Sequence, residues 1–338
     1  MNAHSVVVPF YDGDEADLAQ AITAGVAASA LPTVVAQSAA TAQSSEGEAI
    51  VGAIVIDRSG SLEKKKLAVV EGVRLFRTAV MKSTERRKMQ LAVLFFNHGV
   101  AEWNPFGTPD PFMSMVEGHA RCMPELAEAA YKPSGSTALY KAYLQAVASC
   151  DLMAKSVEES LGVDVRQVII GVGDGFDNNS TKDDLMHLRS IIKRRRLQEN
   201  WTGMFFGICD PEMLEAVATL VGRSWHGMAA DEQKAFELEV FRAVGCGTED
   251  KRLAKAINAI AHGNTHANMG QFGNDDVGMG LSENLVETFP SDGDEIRDMI
   301  GVKMSSTFIR ASQGKITANV PLAQQMATPD PAGSGSFV

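Results

Sequence analysis

The chain of 338 residues contains few cysteines and few aromatic side chains. Its four cysteines, Cys122, Cys150, Cys209 and Cys246, stand far apart and form no CxxC pair. This spacing argues against a structural zinc site and against a disulfide framework. We expect buried free thiols in a reducing compartment, and therefore a cytoplasmic protein.

Membrane segments and an excess of basic residues are also lacking. The first fifteen residues have no basic n-region, which argues against a secretory signal, and no uncharged apolar run is long enough to cross a bilayer. The formal net charge of −11 repels phosphate backbones. The densest basic run, 193–196, ends a predicted helix, where cations complement the helix dipole. We expect neither a nucleic-acid nor a membrane partner.

The pattern of apolar residues divides the chain into three parts. Residues 1–48 form an N-terminal arm, 49–311 an α/β domain, and 312–338 a flexible C-terminal tail. The arm packs on the domain, pairs with a sheet edge or waits for a partner, and the sequence leaves these alternatives open. The stretch 263–280 is rich in Gly and Asn and has no period, which predicts a long exposed loop.

Inside the domain, apolar runs alternate with amphipathic helical patterns. The predicted strands are 49–56, 89–97, 165–172 and 202–208, with a short one near 100–103. The predicted helices are 61–82, 138–154, 182–197 and 294–311. Because parallel strands need crossover helices, this order predicts a three-layer, doubly wound, mostly parallel sheet. A ligand site is expected beyond the carboxyl ends of the strands.

Three oxygen-bearing side chains follow the first predicted strand at alternate positions. In the segment AIVIDRSGS they are Asp57, Ser59 and Ser61. Hard cations such as Mg²⁺ and Mn²⁺ prefer oxygen ligands, and Mg²⁺ keeps several waters, so hydroxyls suit it as direct ligands. A lone DxSxS is weak evidence, because Asp and Ser are also favoured as caps of the helix that follows.

The segment DRSGS resembles the DxSxS element of the metal-ion-dependent adhesion site (MIDAS) in von Willebrand factor A (vWA) domains. The family's second element is a threonine in a Gly-rich turn before a helix, and Thr137 in PSGSTALYKA matches it. The third is an aspartate at the end of a hydrophobic strand, matched by Asp174 in VRQVIIGVGDGFDN. The elements stand in the family's order, and the similarity covers about residues 49–225. It implies a Rossmann-like vWA fold.

The resemblance also implies a role for each matched residue. Ser59, Ser61 and Thr137 would bind the metal through their hydroxyls, and Asp57 and Asp174 mainly through water.

Three neighbouring positions need separate interpretation. Gly173 precedes Asp174 where family members often have Thr or Ser, which loosens the match at Asp174. Asp177 is an alternative ligand or a helper. For Asp177 and Asn178, however, a solvated turn is the preferred interpretation.

The metal site favours a binding module over an enzyme, because no nucleophile and base accompany it. A MIDAS Mg²⁺ (or Mn²⁺) would complete its coordination with an Asp or Glu of a protein partner. Intracellular members of the family act beside AAA+ ATPases or in chelatase-like, stress and defence complexes. The resemblance therefore implies a subunit of an intracellular bacterial or phage complex, with an AAA+ ATPase as a candidate partner.

Two other functions remain open. A Mg²⁺-dependent phosphohydrolase of the haloacid dehalogenase kind also keeps an Asp after its first strand, but it needs a second acid where this chain has Ser59. A structural subunit of a larger assembly would instead use the arm and the tail for attachment.

Overall fold

The computed structural model describes residues 48–261 and 278–327, apart from 109, 317 and 319. The predicted arm, 1–48, lies outside the described residues except for Glu48. The predicted loop, 263–280, lies outside them except for 278–280.

A mostly parallel sheet forms the centre of this domain. Its order is β3-β2-β1-β5-β6-β7, and β4 pairs with β2. Five neighbouring strands are parallel, whereas β3 and β4 run antiparallel to β2. The predicted doubly wound sheet is confirmed. The strands are β1 (Glu48–Asp57), β2 (Met89–Phe96), β3 (Val100–Glu102), β4 (Met113–Ser114), β5 (Asp164–Gly173), β6 (Trp201–Cys209) and β7 (Val286–Pro290).

Helices cover both faces of the sheet. They are α1 (Lys66–Lys82), α2 (Leu139–Leu161), α3 (Lys182–Arg195), α4 (Pro211–Leu220), α5 (Ala230–Cys246), α6 (Lys251–Ala261), α7 (Gly293–Asp298), α8 (Ser305–Ser312) and α9 (Leu322–Ala327). Helices α2 to α6 pack on one face, while α1 and α7 to α9 pack on the other. The predicted helix 294–311 is a run of α7, a π-helical segment (Met299–Met304) and α8.

The alternation of side chains along β1 explains why this strand is central. Residues 49, 51, 53 and 55 enter the apolar cluster on one face, and 50, 54 and 56 enter the other. Every position of β1 after Glu48 is buried. A Val- and Ile-rich run buried on both faces is typical of a parallel sheet.

The structure describes only the margins of two predicted irregular segments, and there it shows ordered, buried residues. Met279 lies in the predicted exposed loop but is fully buried, and its N–H bonds the Val244 carbonyl at the end of α5. Helix α9 lies in the predicted flexible tail, 312–338, and Leu322 is buried with Ile316 in the α1-side cluster. Both segments carry apolar side chains that the domain surface can bury, which offsets the entropy of ordering them.

The remaining features of the described residues agree with the composition. All four cysteines are free, two of them buried and two half-buried. None of the helices in the described parts of the chain is long and apolar enough to cross a membrane.

Candidate metal centre

The carboxyl ends of β1 and β5 bring two aspartates to the same edge of the sheet. The strands are parallel neighbours, and Ile56 of β1 pairs with Val172 of β5. Asp57 is the last residue of β1, and Asp174 follows the last residue of β5. Parallel register therefore places both carboxylates beyond the strand ends, where α/β sheets bind ligands.

A chain of hydrogen bonds joins the first predicted element to the third. The Ser59 N–H donates to Asp57 Oδ1 at 2.7 Å, and the Ser59 and Ser61 hydroxyls lie 2.9 Å apart. The Ser61 hydroxyl donates to Asp174 Oδ2 at 2.6 Å, across 113 residues of sequence. The structure thus brings together four of the five predicted site residues.

Thr137 is held at the same place by its main chain. Its N–H donates to Asn178 Oδ1 at 2.6 Å, and its carbonyl accepts from the Asn178 N–H at 2.9 Å. Asn178 stands four residues after Asp174 in the sequence. The preceding residues also bond the DRSGS turn, since Gly60 N–H donates to the Gly135 carbonyl at 3.1 Å. Within the described structure, the Thr137 hydroxyl forms no hydrogen bond. We call the five residues the metal-site cluster: Asp57, Ser59, Ser61, Thr137 and Asp174.

Charge is concentrated in this cluster without full compensation. Asp57 is fully buried, and its Oδ2 atom has no hydrogen-bond partner among the described residues. Burial and the neighbouring Asp174 raise the pKa of Asp57 well above its usual value. Burial also raises the pKa of Asp174, although the Ser61 hydroxyl and Lys65 oppose the rise. A cation at this point would remove the penalty on both carboxylates.

The donor set fits a hard divalent cation. The cluster offers hydroxyl and carboxylate oxygens, which such cations prefer as ligands. One of these oxygens, Asp57 Oδ2, is buried without a hydrogen-bond partner among the described residues. Within the described ranges, no group of three or more His, Cys, Asp or Glu could hold a metal ion. Ser59 makes no side-chain capping bond to the helix that follows, whereas Asp57 Oδ1 accepts the Ser59 N–H in the turn before it.

The glycine that departs from the vWA pattern has a steric reason. A Cβ atom at Gly173 would lie 2.9 Å from Asp57 Cβ and 3.0 Å from Asp57 Oδ2. Any larger residue would therefore displace the Asp57 carboxylate. Gly173 supports the cluster rather than weakening it.

The predicted solvated turn at Asp177 is wrong. Asp177 is buried, and its carboxylate accepts hydrogen bonds from the Tyr140 N–H at 2.8 Å and the Ser180 hydroxyl at 2.6 Å. Tyr140 is in the first turn of α2, whose own N-cap residue, Ala138, makes no side-chain bond. Asp177 thus caps α2 from a distant loop instead of serving the cluster. Asn178 is exposed, yet its side-chain oxygen binds Thr137.

One supporting residue gave no signal in the sequence. The hydroxyl of buried Tyr131 donates to the Asp57 backbone carbonyl at 2.5 Å. Its partner stands 74 residues away, so spacing could not have indicated the contact. Tyr131 fixes the end of β1 from which the cluster begins.

No family model matches the sequence, and no curated protein matches it either. Parts of the fold occur in solved structures. The pilus adhesin SpaC from Lactobacillus rhamnosus GG is 12% identical with a TM-score of 0.42, over 78% of this chain and 30% of the adhesin. Proximal thread matrix protein 1 from the mussel byssus, with a zinc-occupied MIDAS motif, is 13% identical with a TM-score of 0.33, over 78% of this chain and 46% of that protein.

A third likeness carries the family's name. The von Willebrand factor type A structure from Catenulispora acidiphila is 17% identical with a TM-score of 0.26, over 49% of this chain and 40% of its own. The chain thus spans less than half of each of these three structures. At such TM-scores the likenesses carry no functional argument. The strand order gives the chain a doubly wound α/β fold, and hydrogen bonds bring its three vWA-like sequence elements to one sheet edge.

Proposed function

We propose that the chain is a metal-dependent binding module, in which the metal-site cluster holds Mg²⁺ or Mn²⁺ and thereby captures an Asp or Glu of a protein partner. The observation that carries this proposal is the buried, unpaired Oδ2 of Asp57 beside Asp174. Two buried carboxylates without a counter-ion destabilise a fold unless a proton or a cation neutralises them.

The accessibility of the cluster supports capture from outside. Asp57, Ser59, Thr137 and Asp174 are buried, whereas Ser61 is exposed at the rim. A divalent cation there would supply an electrophilic centre whose charge two carboxylates balance and whose remaining positions accept an outside carboxylate. The chain's own residues would orient that contact through the hydroxyls of Ser59, Ser61 and Thr137.

Binding is favoured over phosphohydrolysis by the residue at position 59. A haloacid dehalogenase-like mechanism needs a general acid there, and the Ser59 hydroxyl is instead engaged with Ser61. Phosphatase turnover that disappeared in Asp57→Asn would reverse this preference. By resemblance, the first partner to test is an AAA+ ATPase in a cytoplasmic complex.

Metal binding is tested first, by a Mn²⁺ titration that is monitored by electron paramagnetic resonance. Thr137→Ala should weaken Mn²⁺ binding about tenfold or more, because it deletes a ligand hydroxyl. Ser134→Ala is the matched control, since Ser134 lies on the same loop and its hydroxyl contacts Asn97 rather than the cluster. Equal affinities of Thr137→Ala and the wild type would contradict the proposal.

Partner capture is tested next, from an extract of the host. A specific partner should bind the wild type in Mg²⁺ and be released by a chelator. It should bind Ser134→Ala normally and Thr137→Ala poorly. A partner that ignores both the chelator and Thr137→Ala would favour a structural subunit, and light scattering of the pure protein would then show assemblies.

A further inference from the structure

Arg58 lies between two residues of the metal-site cluster but does not belong to it. Its main chain is fixed on both sides, because its N–H donates to the Phe96 carbonyl at 2.6 Å and its carbonyl accepts from the Ser134 N–H at 2.8 Å. Its guanidinium carbon lies 6.0 Å from the centre of the Phe95 ring. Backbone and ring together restrict where the guanidinium can point.

The guanidinium has no counter-ion within the described structure. It forms no side-chain hydrogen bond or ion pair there, and its Nε atom is buried without a partner. Two lysines near the same turn differ from it, since Lys65 pairs with Asp210 at 3.5 Å and Lys66 pairs with Glu128 at 3.1 Å. Arg58 therefore carries a half-buried charge that forms no ion pair within the described residues.

Two aromatic residues connect Arg58 to the end of β1. The Tyr131 hydroxyl bonds the Asp57 carbonyl. The Tyr131 and Phe95 rings pack edge-on with their centres 5.4 Å apart, and the Arg58 guanidinium lies over the same Phe95 ring. Arg58 and the Asp57 end of β1 therefore pack against one aromatic pair.

Resting on the proposed function, we infer that Arg58 is a specificity-determining contact and that the module selects a protein segment with two acidic groups. One carboxylate would bind at the metal-site cluster and the other at the Arg58 guanidinium. A guanidinium on a fixed plane binds a carboxylate through two parallel hydrogen bonds, which adds geometric selection to charge. A single acid would satisfy the metal and leave Arg58 unpaired.

The inference is tested with small carboxylates on the Mn²⁺-loaded full chain. Acetate is compared with succinate, glutarate and adipate, and binding is read from the paramagnetic relaxation of the ligand protons. Asp57→Ala protein at the same Mn²⁺ concentration corrects for chelation of free metal. In the wild type, the dicarboxylate whose length matches the two contacts should bind about tenfold tighter than acetate.

The decisive variant is Arg58→Gln, with Arg58→Lys beside it. Arg58→Gln should lose the preference for the dicarboxylate but keep the wild-type affinities for acetate and Mn²⁺. Arg58→Lys should retain part of the preference, because it keeps the charge and loses the paired hydrogen bonds. Arg223→Gln is the matched control, since Arg223 also stacks on a ring, at 4.6 Å from that of Phe236, but pairs with Glu239.

The outcomes separate the inference from the function on which it rests. If acetate binds through Mn²⁺ and Arg58→Gln keeps the dicarboxylate preference, the inference is overturned and the binding module stands. If acetate and the dicarboxylates all fail to bind the Mn²⁺-loaded wild type, the proposed carboxylate capture fails and takes the inference with it.

Discussion

Replacing Asp57 by Asn removes one negative charge from the metal-site cluster and keeps the size of the side chain. Asp57 is fully buried, its Oδ1 accepts the Ser59 N–H at 2.7 Å, and its Oδ2 has no partner among the described residues. Asparagine keeps the Oδ1 acceptor and places a neutral amide beside Asp174. In the absence of metal, we therefore expect Asp57→Asn to be more stable than the wild type.

The size of this effect follows from the charge on the unpaired oxygen. A buried polar atom without a partner costs about 1–3 kcal/mol and more when it is charged, so exchanging the charged oxygen for a neutral amide should recover about 1–3 kcal/mol. In a domain of this size, 1 kcal/mol corresponds to about 2–4 °C in Tm. Asp57→Asn in a chelator should thus melt about 2–12 °C above the wild type. Metal at a hundred times its Kd should stabilise the wild type by about 2.7 kcal/mol, or about 5–11 °C, and leave Asp57→Asn unchanged.

Asp177→Asn provides a control at a second buried aspartate of the same region. Both carboxylate oxygens of Asp177 accept hydrogen bonds, among them those from Tyr140 N–H at 2.8 Å and Ser180 N–H at 2.8 Å. An amide there leaves a donor unpaired, so Asp177→Asn should lose about 1–3 kcal/mol. Replacing Asp by Asn is therefore expected to raise the stability at position 57 and to lower it at position 177.

Thermal melting by circular dichroism in a chelator and across a series of Mg²⁺ and Mn²⁺ concentrations measures all three proteins. The reasoning is refuted if Asp57→Asn melts below the wild type without metal, because Asp57 would then be a structural cap. It is also refuted if Asp57→Asn keeps the metal-dependent rise.

Three further changes test the surroundings of the cluster and, on the edge strand β3, the half-buried carboxylate of Glu102. Gly173→Ala should lose about 1–3 kcal/mol and bind Mn²⁺ about tenfold more weakly, because its Cβ would displace the Asp57 carboxylate; unchanged Mn²⁺ affinity would show that this space is not needed. Tyr131→Phe leaves the Asp57 carbonyl without its donor and should cost about 1–3 kcal/mol in urea unfolding, and a neutral effect would count against the contact. Burial raises the pKa of Glu102, so its contribution to folding is full below pH about 4.5 and is lost as the pH rises through its higher folded pKa. Glu102→Gln should gain stability relative to the wild type over that range, and parallel pH profiles of the two proteins would oppose this.

The local pattern of apolar residues was sufficient to predict the strands that are buried on both faces of the sheet. The predicted strand 165–172 lies within β5 (Asp164–Gly173), and the predicted strand 202–208 lies within β6 (Trp201–Cys209). Both are apolar runs that can be recognised as strands from their own residues, without knowledge of the strands that pair with them. The loops that follow central strands of a parallel sheet must meet at its carboxyl edge, so the place of the site also followed from order alone.

Features that depend on distant partners could not be predicted in this way. Strand β7 has only five residues and ends in proline, and it is defined by pairing with β6, where Phe205 aligns with Val286. The capping role of Asp177 depends on Tyr140, 37 residues earlier. A solvated turn and a buried capping turn have the same local composition, and only the packing of the α2 terminus against this loop distinguishes them.

The three loops of the site are joined mainly through groups that are not metal ligands. Gly60 bonds Gly135, and the Thr137 main chain bonds Asn178. The loops are therefore positioned by the fold itself, while the Ser61 hydroxyl and the Asp174 backbone N–H link the first element to the third. Such preorganisation lowers the cost of binding, because little ordering remains to be done when a ligand arrives. The same arrangement keeps two carboxylates close together, which lowers stability. The apolar packing on both faces of the sheet must compensate for this loss. A cluster of this kind lowers the stability of the fold by itself, and under the proposed function a bound cation would recover that loss.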